Sequence, residues 1–198
     1  MGNESQKKYI KKITGDNVYL SPISLDDTEQ YTHMINDLKV SVGIGHPAYI
    51  NIMDYERERE FLNSIKDGKI FAVRLIENDE LLGNIELFNV NILQKNAVLG
   101  IMLGNPEYQR KGYGKEAINL ILDYGFSFLN LYSVSLTVFE YNEVAYNLYK
   151  KVGFKEVGRL RKRVEIMGKR YDEIIMDILK EEFESVYIKR EIEGRYRL

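Results

Sequence analysis

Two short stretches carry residue types that can hold an anion and donate a proton. The first is QRKGYG, residues 109–114, which directly precedes an apolar run with helical spacing. The first turn of a helix leaves about four backbone N–H groups without partners, and these groups carry partial positive charge. Glycine lets a ligand approach the backbone closely, and the neighbouring cations add charge. The loop therefore predicts a phosphate or pyrophosphate site made of Gln109, Arg110, Lys111, Gly112, Tyr113 and Gly114.

This loop differs from the two best-known nucleotide-binding loops. A Walker loop needs Gly, four residues and then Gly-Lys-Ser or Gly-Lys-Thr, and dinucleotide-binding folds use Gly-x-Gly-x-x-Gly. Neither pattern occurs between residues 105 and 122. A glycine-rich turn before a helix can also serve only to turn the chain, so this structural interpretation stays open beside the anion site.

The second stretch is NEVAYNLYKKVGF, residues 142–154, which is typical of a helix that begins after Asn142 and ends near Gly153. Asn142 and Tyr149 are seven residues apart, close to two helical turns, so both lie on one side of the helix. A tyrosine hydroxyl in that position can give a proton to a leaving group. The alternative is that the ring of Tyr149 packs in the core.

Composition limits the other kinds of chemistry. The chain has 198 residues, of which 44% are hydrophobic and 29% charged, as is typical of a soluble globular domain. It has no cysteine and two histidines, which excludes disulfides, cysteine nucleophiles and thiolate metal sites; we expect no metal. The net charge of -2 gives no reason to expect nucleic acid. Without a signal peptide or a long apolar run, we expect a cytoplasmic protein with no membrane partner.

Periodicity predicts the elements that position both stretches. Apolar residues alternate in the predicted strands and recur every three or four residues in the predicted helices. The strand–loop–helix–strand unit at 96–140 predicts two parallel neighbouring strands. The predicted strands are residues 17–23, 69–76, 81–92, 96–103 and 132–140, with two more that turn at MGKR; the predicted helices are residues 24–38, 53–68, about 112–129 and 142–154.

The order of these elements predicts an α/β fold. We expect a central, mixed, mostly antiparallel twisted sheet of about seven strands, flanked by about four helices. Residues 1–16 are interpreted as a polar lead-in, 17–180 as one domain and 181–198 as a charged C-terminal extension. Residues 40–49 are predicted to form a loop, and the extension is predicted to be either a terminal helix or a loose tail.

Taken together, the two stretches resemble the GNAT superfamily of acyl-CoA-dependent N-acetyltransferases. The loop QRKGYG resembles its Gln/Arg-x-x-Gly-x-Gly/Ala acetyl-CoA loop, and residues 142–154 resemble its Asn-x-x-Ala-x-x-x-Tyr-x-x-x-Gly-Phe helix. The resemblance covers about residues 17–180. PEYQRKGYG, DYGF, LNLY and GRLRKRVEIMGKRYDEIIM are most similar to the bacterial group that contains the ribosomal-protein-alanine and spermidine N-acetyltransferases. This resemblance implies the GNAT fold and acetyl-CoA as the acetyl donor.

The resemblance also implies a role for individual residues. The loop would bind the pyrophosphate of CoA through backbone N–H groups, and the strand before it would offer backbone groups to the pantetheine arm. Tyr149 matches the tyrosine that protonates the departing CoA thiolate. The remaining cofactor contacts implied by the resemblance are Ile101, Met102 and Leu103 for the pantetheine arm, Asn142 for the cofactor arm, and Lys151 with Lys150 for the nucleotide phosphates.

The sequence departs from many relatives at the position of a general base. Val98 occupies the place where those relatives carry a glutamate that helps to deprotonate the amine. Glu86 is the nearest replacement, because it lies in a strand expected to approach the cleft, and Glu140 is a weaker candidate. The alternative for Glu86 is a strand residue that faces solvent.

The resemblance implies direct acetyl transfer to a primary amine in a ternary complex. The acceptor would be a polyamine, a protein N-terminus or a small amino compound, and a dimer or larger homo-oligomer stays open. The alternative is a non-catalytic acyl-CoA-binding or regulatory module, which Val98 favours and Tyr149 disfavours. The acidic residues of the early segment could attract a cationic acceptor, but the favoured interpretation is that they form solvated helix faces and caps: Asp26, Asp27, Glu29, Asp37, Asp54, Glu56, Glu58 and Glu60.

Overall fold

The protein is organised around one sheet, seen in a computed structural model that describes residues 9–45, 52–65, 68–104, 108, 110–184 and 186–196. Eight strands of this described part form the sheet in the order β1-β2-β3-β4-β5-β6-β8-β7. The strands are β1 Ile13–Thr14, β2 Val18–Ser21, β3 Ile70–Leu75, β4 Leu81–Asn91, β5 Asn96–Leu103, β6 Ser133–Phe139, β7 Lys155–Ile166 and β8 Lys169–Leu179.

The described part of the chain also contains six α-helices. None of them is long and apolar enough to cross a membrane. The helices are α1 Thr28–Asn36, α2 Leu38–Ile44, α3 Tyr55–Ile65, α4 Tyr113–Ser127, α5 Glu143–Val152 and α6 Tyr187–Glu193.

The parallel pair predicted around the helix-forming loop is confirmed. β5 and β6 run parallel and are connected through α4, whereas the other described neighbours in the sheet are antiparallel. The pairing of β5 with β6 covers only Asn96–Ser133, Ala97–Val134 and Val98–Ser135. Beyond Val98 and Ser135 both strands continue without pairing to each other, so a wedge opens between them.

Helices cover both faces of the sheet because the strands alternate their apolar side chains. On β3, Phe71 and Val73 belong to the core beneath α4, which also contains Ile118 and Ile121 of that helix, both fully buried. Ile70 and Ala72 of the same strand point to the opposite face, where Tyr31 and Met34 of α1 and Leu62 of α3 form a second core. The α/β prediction with helices on both faces is therefore confirmed.

One predicted helix and the loop after it have a different arrangement. Residues 24–38 were expected to form a continuous helix, but Asp37 adopts an extended conformation, with φ -70° and ψ 119°, and ends α1. Its carboxylate accepts the backbone N–H of Lys39 at 2.7 Å and so caps the new helix α2. The prediction of a loop at 40–49 is wrong as far as Ile44, where α2 ends. Residues 46–49 lie outside the described part.

The two ends of the chain account for the remaining differences in element number. β1 lies within the predicted lead-in and pairs with β2, which gives an eighth strand. In the C-terminal extension, the Asp123 carboxylate of α4 accepts the N–H groups of Tyr187 and Ile188 at 3.0 and 2.9 Å. Of the two alternatives for this extension, the terminal helix is the one observed.

Candidate active site

A cavity of about 500 Å³ lies where β5 and β6 separate. Its walls come from β3, β4, β5 and β6 of the sheet and from α1, α2, α3 and α5. This volume falls within the range typical of sites for small molecules. Among the residues that line the cavity are Glu58, Glu86, Gly100, Met102, Asn142 and Tyr149.

Tyr149 is both a core residue and a cavity residue, so the packing of its ring in the core is confirmed, whereas its role as a proton donor stays a prediction. Its side chain is 8% exposed, and its ring meets Phe154 edge to face with 5.9 Å between centroids. Every fully buried polar side-chain atom of the described residues has a hydrogen-bond partner. The Tyr149 hydroxyl has none among these residues and is therefore accessible from the cavity. Burial raises the pKa of Tyr149 to about 12, so the phenol keeps its proton at neutral pH.

Asn142 lines the cavity but uses its side-chain amide to join two helices. The carbonyl oxygen accepts the N–H of Ala145 at 3.1 Å, which caps α5. The amide nitrogen donates to the backbone oxygen of Gly43 in α2 at 3.1 Å. The side chain thus fixes the start of the helix that carries Tyr149. Its contact with the cofactor arm stays a prediction.

Glu86 points into the cavity because of strand alternation. Ile85 and Leu87 are buried in the core beneath α4, so Glu86 between them faces the opposite side of the sheet. The register pairs Glu86 with Gly100 of β5. A Cβ atom at residue 100 would lie 2.9 Å from Glu86 Oε1, so the glycine leaves room for the carboxylate. Burial raises the pKa of Glu86 above its usual range.

The two other positions considered for a base behave differently. Val98 lines the same cavity opposite Phe88, so an apolar side chain occupies the place of the acid found in many relatives. Glu140 is exposed, and its carboxylate accepts the backbone N–H of Asp172 at 3.0 Å at the β6–β8 end of the sheet. Of the three positions, Glu86 alone places a carboxylate in the cavity.

Glu58 is a cavity residue that the sequence analysis placed among acids with two interpretations, a solvated helix face and, as the alternative, attraction of a cationic acceptor. The favoured interpretation, the solvated helix face, is wrong, because Glu58 is 4% exposed and lines the cavity. Burial raises the pKa of its carboxyl above the usual range. The signal was present in the spacing: Glu58, Leu62 and Ile65 are four and three residues apart and lie on one stripe of α3. The same interpretation is wrong for Asp27, which is buried in an ion pair with Arg74.

The end of β5 directs alternate backbone groups into the wedge. The N–H of Gly104 donates to Leu82 of β4 at 2.9 Å, and the carbonyl oxygen of Met102 lies next to Gly83 of that strand. Since backbone groups alternate along an antiparallel strand, those of Ile101 and Leu103 face away from β4 toward the wedge. Of the three residues expected to offer backbone groups, the geometry favours Ile101 and Leu103. The carbonyl oxygen of Met102 lies next to Gly83 of β4 instead, although Met102 also lines the cavity.

The predicted anion loop leads into the first turn of α4. Gly112 is the N-cap residue with φ 90°, and it has no side chain to cap the helix, so the N–H groups of the first turn have no intrahelical partner. Among the described residues, no atom beyond its chain neighbours lies within 4 Å of the position that a Cβ at Gly112 would take. Gly114 has a different reason to be glycine: its Cβ would lie 3.2 Å from Leu103 and from Leu148. The first turn of α4 therefore packs directly against the end of β5 and against α5.

The cations predicted to meet phosphates lie outside the cavity. Arg110, Lys111 and Lys151 are exposed, and Lys111 Nζ lies 5.0 Å from the centre of the Tyr108 ring. The ring of Tyr108 lies 6.2 Å from that of Tyr113. Gln109 lies outside the described residues. The cavity therefore gathers Glu86, Ile101, Met102, Asn142 and Tyr149, whereas Leu103, Lys151 and the described loop residues 110–114 do not line it.

Comparison with known proteins gives the family. Residues 17–155 match the family model described as an acetyltransferase (GNAT) domain. The chain is 32% identical over 151 residues to the spermidine N(1)-acetyltransferase of Vibrio cholerae, covering 71% of this chain and 84% of that protein. It is 30% identical over 174 residues to an uncharacterized N-acetyltransferase, YokL, derived from the SPbeta prophage in Bacillus subtilis, covering 86% and 94%.

A solved structure agrees with this assignment. The crystal structure of spermidine N-acetyltransferase from Vibrio cholerae in complex with CoA and spermine superimposes with a TM-score of 0.74. The two sequences are 28% identical, and the match covers 83% of this chain and 96% of that chain. The fold, the two sequence motifs and the matched model agree, and the chain belongs to the GNAT acetyltransferase family as an N-acetyltransferase.

Proposed function

We propose that the protein transfers an acetyl group from acetyl-CoA to a primary amine by direct attack in a ternary complex. One observation carries this proposal: a single cavity at the opening between β5 and β6 contains an accessible, protonated phenol and a carboxylate. These groups, Tyr149 and Glu86, are the proton donor and proton acceptor that such a transfer uses. The family uses acetyl-CoA, and the related Vibrio cholerae enzyme was solved with CoA.

The chain offers a fitting place for the donor. Open space above Gly112 and the N–H groups of the first turn of α4 suit the pyrophosphate. The pantetheine arm would lie in the wedge, against the free backbone groups of Ile101 and Leu103. Because Gly114 joins the first turn of α4 to Leu103 and Leu148, this path leads from the loop toward α5, which carries Tyr149.

The cavity residues account for the movement of two protons. Glu86 accepts a proton from the acceptor ammonium, which leaves a neutral nitrogen able to attack the thioester carbon. A C–N bond forms and the C–S bond breaks. The nitrogen, which still carries one extra proton after the attack, releases it to solvent to give the neutral amide, and Glu86 passes its proton to solvent. Tyr149 then donates its proton to the departing sulfur and is protonated again by solvent. No protein nucleophile takes part, and holding the reactants in position contributes much of the rate.

Binding of a polyamine, a protein N-terminus or a small amino compound is compatible with these steps. The names of the relatives in Vibrio cholerae support a polyamine. Thiol release from acetyl-CoA with spermidine, amino sugars, aminoglycosides and N-terminal peptides tests the function directly. We expect turnover with at least one amine. CoA binding without turnover on any amine would favour the non-catalytic module instead.

Replacement of Glu86 by glutamine is expected to lower kcat about tenfold or more, because water is a weaker proton acceptor than a carboxylate. The raised pKa of Glu86 places its deprotonation above the usual carboxyl range, so wild-type activity should still rise with pH where exposed carboxylates are already ionised. In the pH–rate profile of Glu86→Gln, the rise caused by deprotonation of Glu86 should be absent. The rise caused by deprotonation of the acceptor amine should remain.

Two controls accompany the Glu86→Gln experiment: the stability of the variant and a matched variant at an exposed glutamate. A carboxyl whose folded-state pKa is raised destabilises the fold as pH rises above the unfolded pKa, so Glu86→Gln should be at least as stable as wild type at neutral pH. Glu77→Gln removes the same charge from an exposed turn between β3 and β4 and should change neither property. An unchanged kcat and pH profile in Glu86→Gln would remove Glu86 from the mechanism.

A further inference from the structure

We propose that Glu58 binds a second cationic group of the acceptor, so that the acceptor is an aliphatic amine with at least two ammonium groups. This inference rests on the proposed function, because it assigns the acceptor to the same cavity. It adds a residue that determines specificity and lies on a different wall from the proton acceptor Glu86.

Glu58 differs from the other buried carboxylates of the protein. In the described ranges, four carboxylate side chains are buried: Asp27, Glu58, Glu116 and Asp123. Asp27 pairs with Arg74 and Asp123 binds the first turn of α6. Glu116 accepts the backbone N–H groups of Asp16, Asn17 and Val18 and the side-chain amide of Asn17. These three carboxylates have evident structural partners.

Glu58 has no such partner within the described part of the chain. Since fully buried polar side-chain atoms there are all hydrogen-bonded, the carboxylate of Glu58 must be accessible from the cavity that it lines. A buried carboxylate without a partner destabilises a fold, because little solvent remains to stabilise the charge. A bound ammonium group would supply the missing partner.

The residues around Glu58 indicate which chemical groups of an acceptor fit between the carboxylates of Glu58 and Glu86. Phe61, Leu62 and Ile65 of α3 and Ile70 of β3 give this part of the cavity apolar walls. Glu86 pairs with Ile70 in the sheet, so it lies on the face that α3 covers. Methylene groups suit these walls, and ammonium groups suit the carboxylate at each side.

Other acceptor classes fit this cavity less well. A monoamine would leave one of the two carboxylates without a partner. A peptide N-terminus would bring backbone amides, which need polar partners when buried. Of the uncharged polar side chains that line the cavity, Tyr31 donates to Gly83 at 3.3 Å and Asn142 joins α2 to α5. This leaves only Asn84 and Thr137 among the described lining residues beside the hydroxyl of Tyr149. The walls therefore favour an aliphatic diamine or oligoamine.

Matched acceptors and a matched variant test the assignment. The full chain would be assayed with acetyl-CoA, a series of α,ω-diaminoalkanes and spermidine, and n-alkylamines of the same lengths. Glu58→Gln keeps the size of the side chain and removes its charge. Glu60→Gln removes the same charge from an exposed position on the same helix. Thermal unfolding confirms that both variants are folded.

We expect wild type to prefer a diamine to the monoamine of equal length by about tenfold or more in kcat/KM, as for a hydrogen bond to a charged group. Glu58→Gln should raise KM for the diamine by a similar factor, leave kcat near the wild-type value and leave the monoamine unaffected. Glu60→Gln should behave as wild type. Equal losses with both acceptors, or no loss with either, would overturn the assignment.

Failure of the proposed function is distinguishable from failure of this inference. If no amine supports turnover, the function is wrong, and diamine binding in the presence of CoA is then measured by calorimetry. A weaker diamine affinity in Glu58→Gln than in wild type and Glu60→Gln would still support a cation site. Equal affinities in the three proteins, or no binding, would overturn it.

Discussion

Replacement of Tyr149 by phenylalanine is expected to lower kcat on the order of 10²-fold. The phenol lines the cavity and its pKa is raised to about 12, so wild type holds the proton ready for the departing thiolate at any physiological pH. Phenylalanine removes that proton and keeps the ring that packs against Phe154. Steady-state kinetics with saturating acceptor and acetyl-CoA measure the effect.

The Tyr149 variant should keep its fold and its affinity for CoA. Its hydroxyl has no hydrogen-bond partner in the described part of the protein, so no protein contact is lost. Tyr146→Phe is the matched control: it removes a hydroxyl from the same helix, where that group bonds to Glu156 at 3.0 Å on the exposed side. An unchanged kcat in Tyr149→Phe would leave Tyr149 as a packing residue only.

Replacement of Gly112 by valine is expected to abolish measurable CoA binding. Within the described part of the chain, the space above Gly112 contains no atom within 4 Å beyond its chain neighbours, so a side chain there would occupy the region assigned to the pyrophosphate. The positive φ of 90° also opposes a β-branched residue, which would disturb the first turn of α4. Isothermal titration with CoA measures the loss.

A variant at a second glycine separates obstruction of the pyrophosphate region from backbone strain. Gly168, in the turn between β7 and β8, also has a positive φ, 76°, and open space around its Cβ position. Gly168→Val therefore introduces comparable backbone strain away from the loop and should leave CoA affinity unchanged. Gly112→Ala adds a smaller obstruction and should weaken binding less than valine. Wild-type CoA affinity in a folded Gly112→Val protein would exclude the loop as the pyrophosphate site.

Local patterns were enough to predict most of the sheet and the two motif helices. The strand predicted at 96–103 coincides with β5, and the helix predicted at 142–154 corresponds to α5 at Glu143–Val152. These elements are strongly periodic, and their ends carry clear signals such as Asn142 and Gly153. The parallel pairing of β5 and β6 also followed, because a helical connection between consecutive strands favours it.

Elements that depend on distant partners were either not predicted, as for β1, or left open between a helix and a loose tail, as for α6. β1 has two residues and exists as a strand because it pairs with β2. α6 has seven residues and is held by Asp123, which lies 64 residues earlier in the chain than Tyr187. Short elements have weak periodicity, and their stability comes mostly from tertiary contacts.

The sequence by itself determined the family, the position of the glycine-containing loop before α4 and the placement of Asn142 and Tyr149 at one helix, because these depend on residue type and local spacing. Only the tertiary structure decided which carboxylates enter the cavity. Glu86 faces it because its neighbours Ile85 and Leu87 are drawn into the core beneath α4. Glu58 is enclosed because α3 packs on the opposite face of the sheet. Helical spacing places Glu58 on one stripe of α3 with Leu62 and Ile65, but whether a charged side chain on that stripe is enclosed depends on the elements that pack around it.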